Sequence, residues 1–257
     1  MAKTALITGA STGIGREFCR LMAKDGYEMF LVARDAARLQ ELAAELVTSG
    51  AAGAHVVAAD LARKNGATDV MAGLSGTVPD VLINNAGFGI LGDFSSSDLS
   101  QQMDMIQVNV GSLVELTGRV LPGMVQRGSG RILNVASTAA FQPGPGMSIY
   151  YATKAFVLSF SEAIAEENRK RGVTVTVLCP GPTDTEFQTR AGMLETPLFS
   201  GALKVMTAKE VAEIGYRAMR EGKVLSIAGL RNRLGMEGLR LSPRSWVRRI
   251  VYGLHKA

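Results

Sequence analysis

The sequence predicts an α/β fold, a doubly wound parallel sheet of about seven strands with helices on both faces. Three observations carry that prediction. Most of its short apolar runs, such as Ala5-Leu6-Ile7 and Val81-Leu82-Ile83, are uniformly apolar, where a strand with one wet face would alternate. Stretches of helical periodicity alternate with these runs. The chain also opens, over Met1 to Gly15, on an apolar run that breaks into glycine-punctuated turn residues and then into a helical pattern.

Ala5 to Ile7 is the first strand, and Gly9, Gly13 and Gly15 follow it. The first glycine allows a tight turn. The other two let backbone approach a bound pyrophosphate, or let a helix start lie close to the sheet. Ile14, Phe18, Leu21 and Met22 then recur at helical spacing. The spacing G-x-x-x-G-x-G departs from the usual G-x-G-x-x-G fingerprint, so alone it fits either a phosphate site or an ordinary strand–helix junction. Glu28 to Val32 is the second strand, followed by Ala33-Arg34-Asp35 and a helix carrying Leu39, Leu42, Ala43 and Leu46 on one face. Ala54 to Ala59 is the third strand, closed by Asp60, and Leu61 to Ser75 a weak helix. Val81 to Ile83 leads into Asn84-Asn85-Ala86-Gly87. Asp98 starts a long helix, and the apolar pattern continues past Gly111. Arg131 to Val135 is the fifth strand, Ser137 to Ser148 a loop rich in proline and glycine, and Tyr150 to Lys170 a helix. Val173 to Leu178 ends at Pro180-Gly181, no element is assigned over Thr183 to Val205, Ala208 to Met219 is helical, and Lys223 to Ile227 is the last strand. No linker, repeat or low-complexity tract interrupts 1–257, so one domain is expected.

Composition narrows the function classes. With 47% hydrophobic residues the chain has material for a core and no signature of disorder. Cys19 and Cys179 form no C-x-x-C and have no neighbouring histidine, so both read as buried apolar side chains, with no metal site. No run of eighteen apolar residues occurs, and the N-terminus enters a strand at once, which points to a cytoplasmic protein without a signal peptide. The formal charge of +5 is uneven: Ala218 to Ala257 holds nine Lys/Arg against Glu221 and Glu237, leaving the rest slightly acidic. Basic character confined to a tail argues against a nucleic-acid surface.

In a parallel sheet the strand ends share one rim, and here Thr8-Gly9, Arg34, Asp60-Leu61, Asn84 to Gly87, Ser137 and Pro180-Gly181 gather on it. Any one of these could be a cap or turn residue. Together, beside a glycine loop, they suggest a site for an extended nucleotide. A nicotinamide site that prefers NAD wants a carboxylate near the end of the second strand, but that place is Ala33, followed by the cation Arg34. Arg34 suits a ribose 2′-phosphate, hence NADP(H). Asp35 could instead serve as a ribose carboxylate, or cap the helix from Ala36, and Arg38 either adds positive potential or faces solvent. Tyr150 and Lys154 lie four apart at a helix start, on one face. An ammonium nearby and the positive charge of an oxidised nicotinamide both favour the phenolate and so lower the tyrosine pKa. The same phenol can protonate a carbonyl oxygen during reduction, with Ser137 giving that oxygen a second hydrogen bond. Tyr151, three from Lys154, competes for the role, and spacing alone does not separate the two.

The combination TGASTGIG at 8–15, NNAG at 84–87, Asn109, Ser137, Tyr150-Tyr151-Ala152-Thr153-Lys154 and PGPTDT at 180–185 resembles the short-chain dehydrogenase/reductase family over Lys3 to Ile227. The resemblance implies a Rossmann-like sheet and NADP(H)-dependent interconversion of a carbonyl and an alcohol. It places the catalytic tyrosine at Tyr150, with Lys154 binding the nicotinamide ribose, Ser137 beside the carbonyl and Asn109 holding a water in a proton relay at a local helix break. The cofactor set it implies is Gly9, Ser11, Thr12, Gly13, Ile14, Gly15, Arg34, Asp60, Leu61, Asn85, Ala86, Gly87, Tyr150, Lys154, Pro180, Gly181, Thr183 and Thr185. It also implies a homodimer or homotetramer through the helices at 98–127 and 150–170.

The substrate side is expected from Phe88 to Phe94, Ala139 to Met147, and a lid over 184–207. Its apolar members Phe88, Ile90, Leu91, Phe141, Pro143, Met147, Phe187, Met193, Leu194, Leu198, Phe199 and Leu203 suggest an aliphatic, acyl or ring-containing carbonyl substrate. Arg190 could meet an anionic group or stay solvated. Alternatives are a reductase of 3-oxoacyl thioesters and, in another class, a protein that binds NADPH without turnover and holds a partner. The extension 230–257 carries Trp246, Ile250 and Leu254 on one side, with Val247 and Val251 beside them and a basic remainder of Arg244, Arg248, Arg249 and His255. That pattern fits an amphipathic helix over 243–257, packed on the fold or a partner, or in weak contact with a membrane surface.

Overall fold

The computed structural model describes residues 2–193, 196, 205–239 and 242–255. The first half alternates β1 (Thr4–Thr8), α1 (Gly13–Lys24), β2 (Glu28–Ala33), α2 (Ala36–Thr48), β3 (Gly53–Ala58), α3 (Gly66–Gly73) and β4 (Val81–Asn84). It continues through α4 (Leu99–Ile106), α5 (Ser112–Arg127), β5 (Gly130–Val135), α6 (Ser148–Asn168) and β6 (Val173–Cys179). The chain then forms β7 (Thr183–Asp184), α7 (Phe187–Ala191), β8 (Met206–Thr207), α8 (Ala208–Arg220), β9 (Leu225–Ile227), α9 (Leu230–Leu239) and α10 (Arg244–His255). Seven strands make one sheet in the order β3-β2-β1-β4-β5-β6-β9, with every pairing parallel. The order reverses between β1 and β4, which opens a crevice at their carboxyl ends.

Alternate residues of each strand feed opposite faces, which explains why the runs are apolar throughout. Ile7, Leu31, Ile83 and Leu133 pack with Phe18, Met22, Leu39, Leu42 and Tyr216 on one side. Leu6, Val32, Leu82 and Ile132 pack with Val70, Leu74, Leu116, Met124 and Ile164 on the other. Between β4 and β5 the sheet carries buried amides. Asn84 Nδ2 donates to Asn134 Oδ1 at 2.9 Å and to Thr117 Oγ1 at 3.1 Å, and Asn134 Nδ2 donates to Ser161 Oγ at 2.9 Å. These bonds tie the central strands to α5 and α6.

Several boundaries move from the sequence expectation. The weak helix begins at Gly66 because Asp60 Oδ1 first accepts from the Ala62 N–H, holding the chain in a turn. The long helix after Asp98 is broken by a π turn at Gln107–Gly111, so it is two α-helices in tandem. The last strand starts at Leu225, two residues later than expected. The unassigned stretch after Thr183 contains α7 and a two-stranded parallel ribbon, β7 with β8, separate from the main sheet.

Candidate active site

The rim opens into a cleft of about 850 Å³, walled by residues from every crossing of the reversal point. On the nucleotide side it is lined by Gly9, Ser11, Thr12, Gly13, Ile14, Arg34, Asp60, Leu61, Asn85, Ala86 and Gly87. Gly9 sits at φ +65°, and a Cβ there would lie 2.7 Å from Asn85 Nδ2. Gly15 does not line the cleft; a Cβ on it would collide with the Gly9 carbonyl oxygen, so this glycine lets the α1 start nest against the β1 turn. Thr12 precedes α1 without a side-chain cap. The first amides of α1 therefore lack the usual capping acceptor at the edge of the cleft, an arrangement suited to phosphate. Thr8 Oγ1 accepts from the N–H groups of Asn85 and Ala86, both at 3.0 Å, and joins the two turns into one floor.

At the end of β2, Asp35 caps α2 by accepting from the Arg38 N–H at 3.1 Å. Its alternative part as a ribose acceptor is thereby reduced. Arg38 is exposed and lines the cleft, and its Nη1 pairs with Glu186 at 2.9 Å. Arg190 also pairs with Glu186, at 2.6 Å, so neither arginine is an idle cation. Arg34 is exposed, lines the cleft, and has no ion pair or side-chain hydrogen bond among the described residues. It is the guanidinium available to a 2′-phosphate.

On the reaction side the cleft is lined by Ser137, Tyr150, Lys154, Pro180, Gly181, Thr183 and Thr185. Ser137 ends β5 and caps the following turn, its Oγ accepting from the Ala139 N–H at 3.1 Å. Lys154 is buried one turn into α6 and donates from Nζ to the Val135 carbonyl at 2.9 Å. Its Nζ lies 5.7 Å from the centre of the Tyr150 ring. Burial away from any carboxylate brings the Lys154 ammonium down to about 8. Tyr150 is pushed up to about 12, because desolvation of a phenolate outweighs the opposing hydrogen bond from Ser137. That is the reverse of the lowering expected from the lysine alone. Near neutral pH the phenol is an acid that keeps its proton until a partner takes it.

Asn109 lies in the π turn and is buried, but does not line the cleft. Its Oδ1 accepts from the Phe88 N–H, and its Nδ2 donates to the Phe88 carbonyl and to Thr153 Oγ1, each at 3.0 Å. The Asn109 side chain is thus committed to protein, and the helix break expected there is the π turn itself. The side chain fixes the loop after Gly87 against α6.

A family model described as short chain dehydrogenase matches residues 3–193. The chain belongs to the short-chain dehydrogenase family. A short-chain dehydrogenase from Sphingobium yanoikuyae, solved in complex with NADPH, is 35% identical, with a TM-score of 0.83 over 93% of each chain. A very-long-chain 3-oxoacyl-CoA reductase of Laccaria bicolor is 40% identical over 175 residues, 66% of this chain and 52% of the relative. The chain therefore spans about half the length of that relative. Mouse 17-beta-hydroxysteroid dehydrogenase type 3 is 36% identical over 70% of this chain and 60% of its own length.

The substrate-facing part of the chain departs most from expectation. Phe88, Met147, Phe187 and Met193 line the cleft, whereas Ile90, Leu91, Phe141 and Pro143 do not. Leu91 and Phe141 are instead packed into neighbouring apolar clusters. Leu194, Leu198, Phe199 and Leu203 lie outside the described residues. In α10 the buried side is Val247, Val251 and His255, while Trp246 and Ile250 face outward. His255, expected among the basic remainder, is on the inner face because it continues the i, i+4 series of the two valines. Tyr151, Gln142 and Leu254 also line the cleft. The only sequence signal for the last two positions was helical phase or loop proximity.

Proposed function

We propose that this chain is an NADP(H)-dependent oxidoreductase that interconverts a largely apolar ketone or aldehyde with its alcohol. The single observation that carries the reading is the convergence of Tyr150, Ser137 and Lys154 on the same cleft as the glycine floor and Arg34. The residues present fit a dinucleotide. Gly9 and Gly13 leave room for pyrophosphate at the α1 start, Asp60 and Leu61 flank an adenine side, and Arg34 offers the charge that distinguishes NADP from NAD. Pro180, Gly181, Thr183 and Thr185 would hold the nicotinamide end, with Lys154 on its ribose. When bound, the cofactor supplies a hydride equivalent at nicotinamide C4. Tyr150 donates its proton to the carbonyl oxygen as that oxygen gains negative charge, and Ser137 donates a hydrogen bond to the same atom. Lys154 stabilises the resulting phenolate. Asn109 acts as a positioning residue for Phe88 and α6, and a water relay at the π turn would return the proton to Tyr150.

The apolar wall of Phe88, Met147, Phe187 and Met193 supports a substrate with a bulky hydrocarbon group. A second reading, a 3-oxoacyl-thioester reductase, is supported by the name of the Laccaria relative. The exposed Leu99, Met103 and Phe156 on α4 and α6 support a homodimer or homotetramer through those helices. Two free, buried cysteines fit a reducing cytoplasmic setting. Among the described residues no helix is long and apolar enough to cross a membrane, and the outward Trp246, Ile250 and Arg249 leave a weak peripheral contact as the membrane role of 243–257.

The test is NADPH and NADH oxidation with a panel of ketones, aldehydes and 3-oxoacyl thioesters, using wild type and Arg34→Asp. Turnover should occur on bulky apolar carbonyls with NADPH preferred. The variant should bind NADPH at least about tenfold more weakly while NADH changes little, as loss of a charge-assisted contact implies. Equal loss for both cofactors would overturn the 2′-phosphate assignment. Tight NADPH binding without turnover on any member would favour the non-catalytic class.

A further inference from the structure

The second tyrosine of the tandem has a partner at the far end of the chain. Tyr151 is buried, and its hydroxyl lies 3.1 Å from His255 Nε2, at the last turn of α10. The other ring nitrogen, Nδ1, lies 2.8 Å from the Pro145 carbonyl. A carbonyl can only accept, so Nδ1 carries the proton, and in the neutral imidazole Nε2 accepts from the Tyr151 O–H. His255 is itself buried, and its ring meets that of Tyr151 edge-on at 5.4 Å between centres. One imidazole therefore ties together three separate pieces: the loop after Ser137, the first turns of α6, and the C-terminal helix.

What the tie holds in place faces the reaction. Val247 and Val251 of α10 pack in one cluster with Met147, Tyr151, Ala191 and Met193, which Tyr150 and Phe187 join at its edge. Leu254, adjacent to the histidine, lines the cleft itself. From this we infer that α10 is a wall of the substrate site, and that His255, through Tyr151 and Pro145, is the positioning residue that sets where this wall stands. The wall presents Leu254 to the apolar arm of a carbonyl substrate. It selects for substrates with such an arm and has no contact with the carbonyl, the hydride donor or the 2′-phosphate site. The inference rests on the oxidoreductase reading for its kinetic consequence, and on geometry alone for the tie.

Two measurements on the full-length chain test it. Asparagine keeps an amide near the position of Nδ1 but cannot reach Tyr151, so His255→Asn cuts one arm of the tie. Amide hydrogen exchange over 244–255 should become about tenfold faster in His255→Asn while β1 and β4 stay protected, as expected for release of a local unit. Unchanged exchange would overturn the tie whether or not any substrate is turned over. In assays with NADPH, His255→Asn should raise KM for octanophenone about tenfold, the scale of a lost hydrocarbon contact. Its kcat for octanophenone and its KM for acetone should stay within about twofold of wild type. Tyr151→Phe and Leu254→Ala should reproduce the rise in KM for octanophenone, and the pair Tyr151→Phe with His255→Asn should be no worse than either alone. Equal KM changes for both ketones, a loss confined to kcat, or additive effects in the double variant would overturn the positioning role. Wild-type inactivity on every carbonyl would instead count against the oxidoreductase reading, with the exchange result still deciding the tie.

Discussion

The chemistry turns on how a half-buried phenol, Tyr150, and a buried ammonium, Lys154, share one charge. Tyr150 is held up at about 12 by burial, and Lys154 is brought down to about 8 by the same cause. For an acid working in the reductive direction the first shift is useful, because the phenol stays protonated across the whole neutral range. The second sets a limit. Below about pH 8 the Lys154 ammonium is present to stabilise the phenolate left behind, and as pH rises through that value it is lost. Reductive kcat/KM should therefore be flat below about pH 8 and fall above it, as a group titrating in the free enzyme requires. An arginine keeps its charge throughout this range, so in Lys154→Arg the falling limb should move to higher pH even where the absolute rate is reduced. A limb that stays near pH 8 in the variant would assign the titration to another group. From sequence, the pair Tyr150 and Lys154 was legible, since four residues along a helix place two side chains on one face. The sign of the tyrosine shift was not, because it depends on enclosure by Ser137 and Phe187, which come from two other segments, and by Met147 at the N-cap of α6.

At the scale of elements, helix caps and breaks decide what faces the cleft. α8 begins with a complete capping box: Thr207 Oγ1 accepts from the Glu210 N–H at 3.2 Å, and Glu210 Oε2 accepts from the Thr207 N–H at 2.8 Å. The inner face of α8, through Val211, Ala212 and Tyr216, covers the same sheet layer as Phe18 and Met22 of α1. The Tyr216 hydroxyl donates to Asp25 at 2.6 Å, just past the end of α1. Thr207→Ala should cost about 1 kcal/mol of stability, seen as a fall of about 2–4 °C in Tm. NADPH affinity should stay within about twofold, because Thr207 itself does not line the cleft and its backbone pairing with Asp184 of β7 is kept. A tenfold loss of affinity at unchanged Tm would mean that the cap acts on the site and not on the helix. The strand–turn–helix opening, the Asp35 cap and the parallel order were legible because each is local or follows from uniform apolar runs. The π turn was expected only from family resemblance. The inward face of α10 was misjudged because Trp246 and Ile250 look more apolar than His255, and only the docking surface chooses between the two faces.

For the whole molecule, the fold's contribution is to bring residues separated by most of the chain to one rim. Arg34, Asp60, Asn85, Ser137, Tyr150 and Gly181 stand at successive crossings of a sheet whose order reverses beside them. The C-terminal helix then closes the substrate side. Sequence could place the rim, since parallel strands leave their carboxyl ends together, but the shape of the substrate wall depends on long-range packing of segments with no regular pattern. The account stands or falls on the Tyr150 hydroxyl as the proton donor within that rim. Its most direct test is single-turnover oxidation of NADPH with a bulky ketone in wild type and Tyr150→Phe, with NADPH affinity measured on both. The variant should bind NADPH within about twofold of wild type and lose at least about a hundredfold in the chemical step, the scale of general acid catalysis. A Tyr150→Phe protein that oxidises NADPH at close to the wild-type rate would contradict the account.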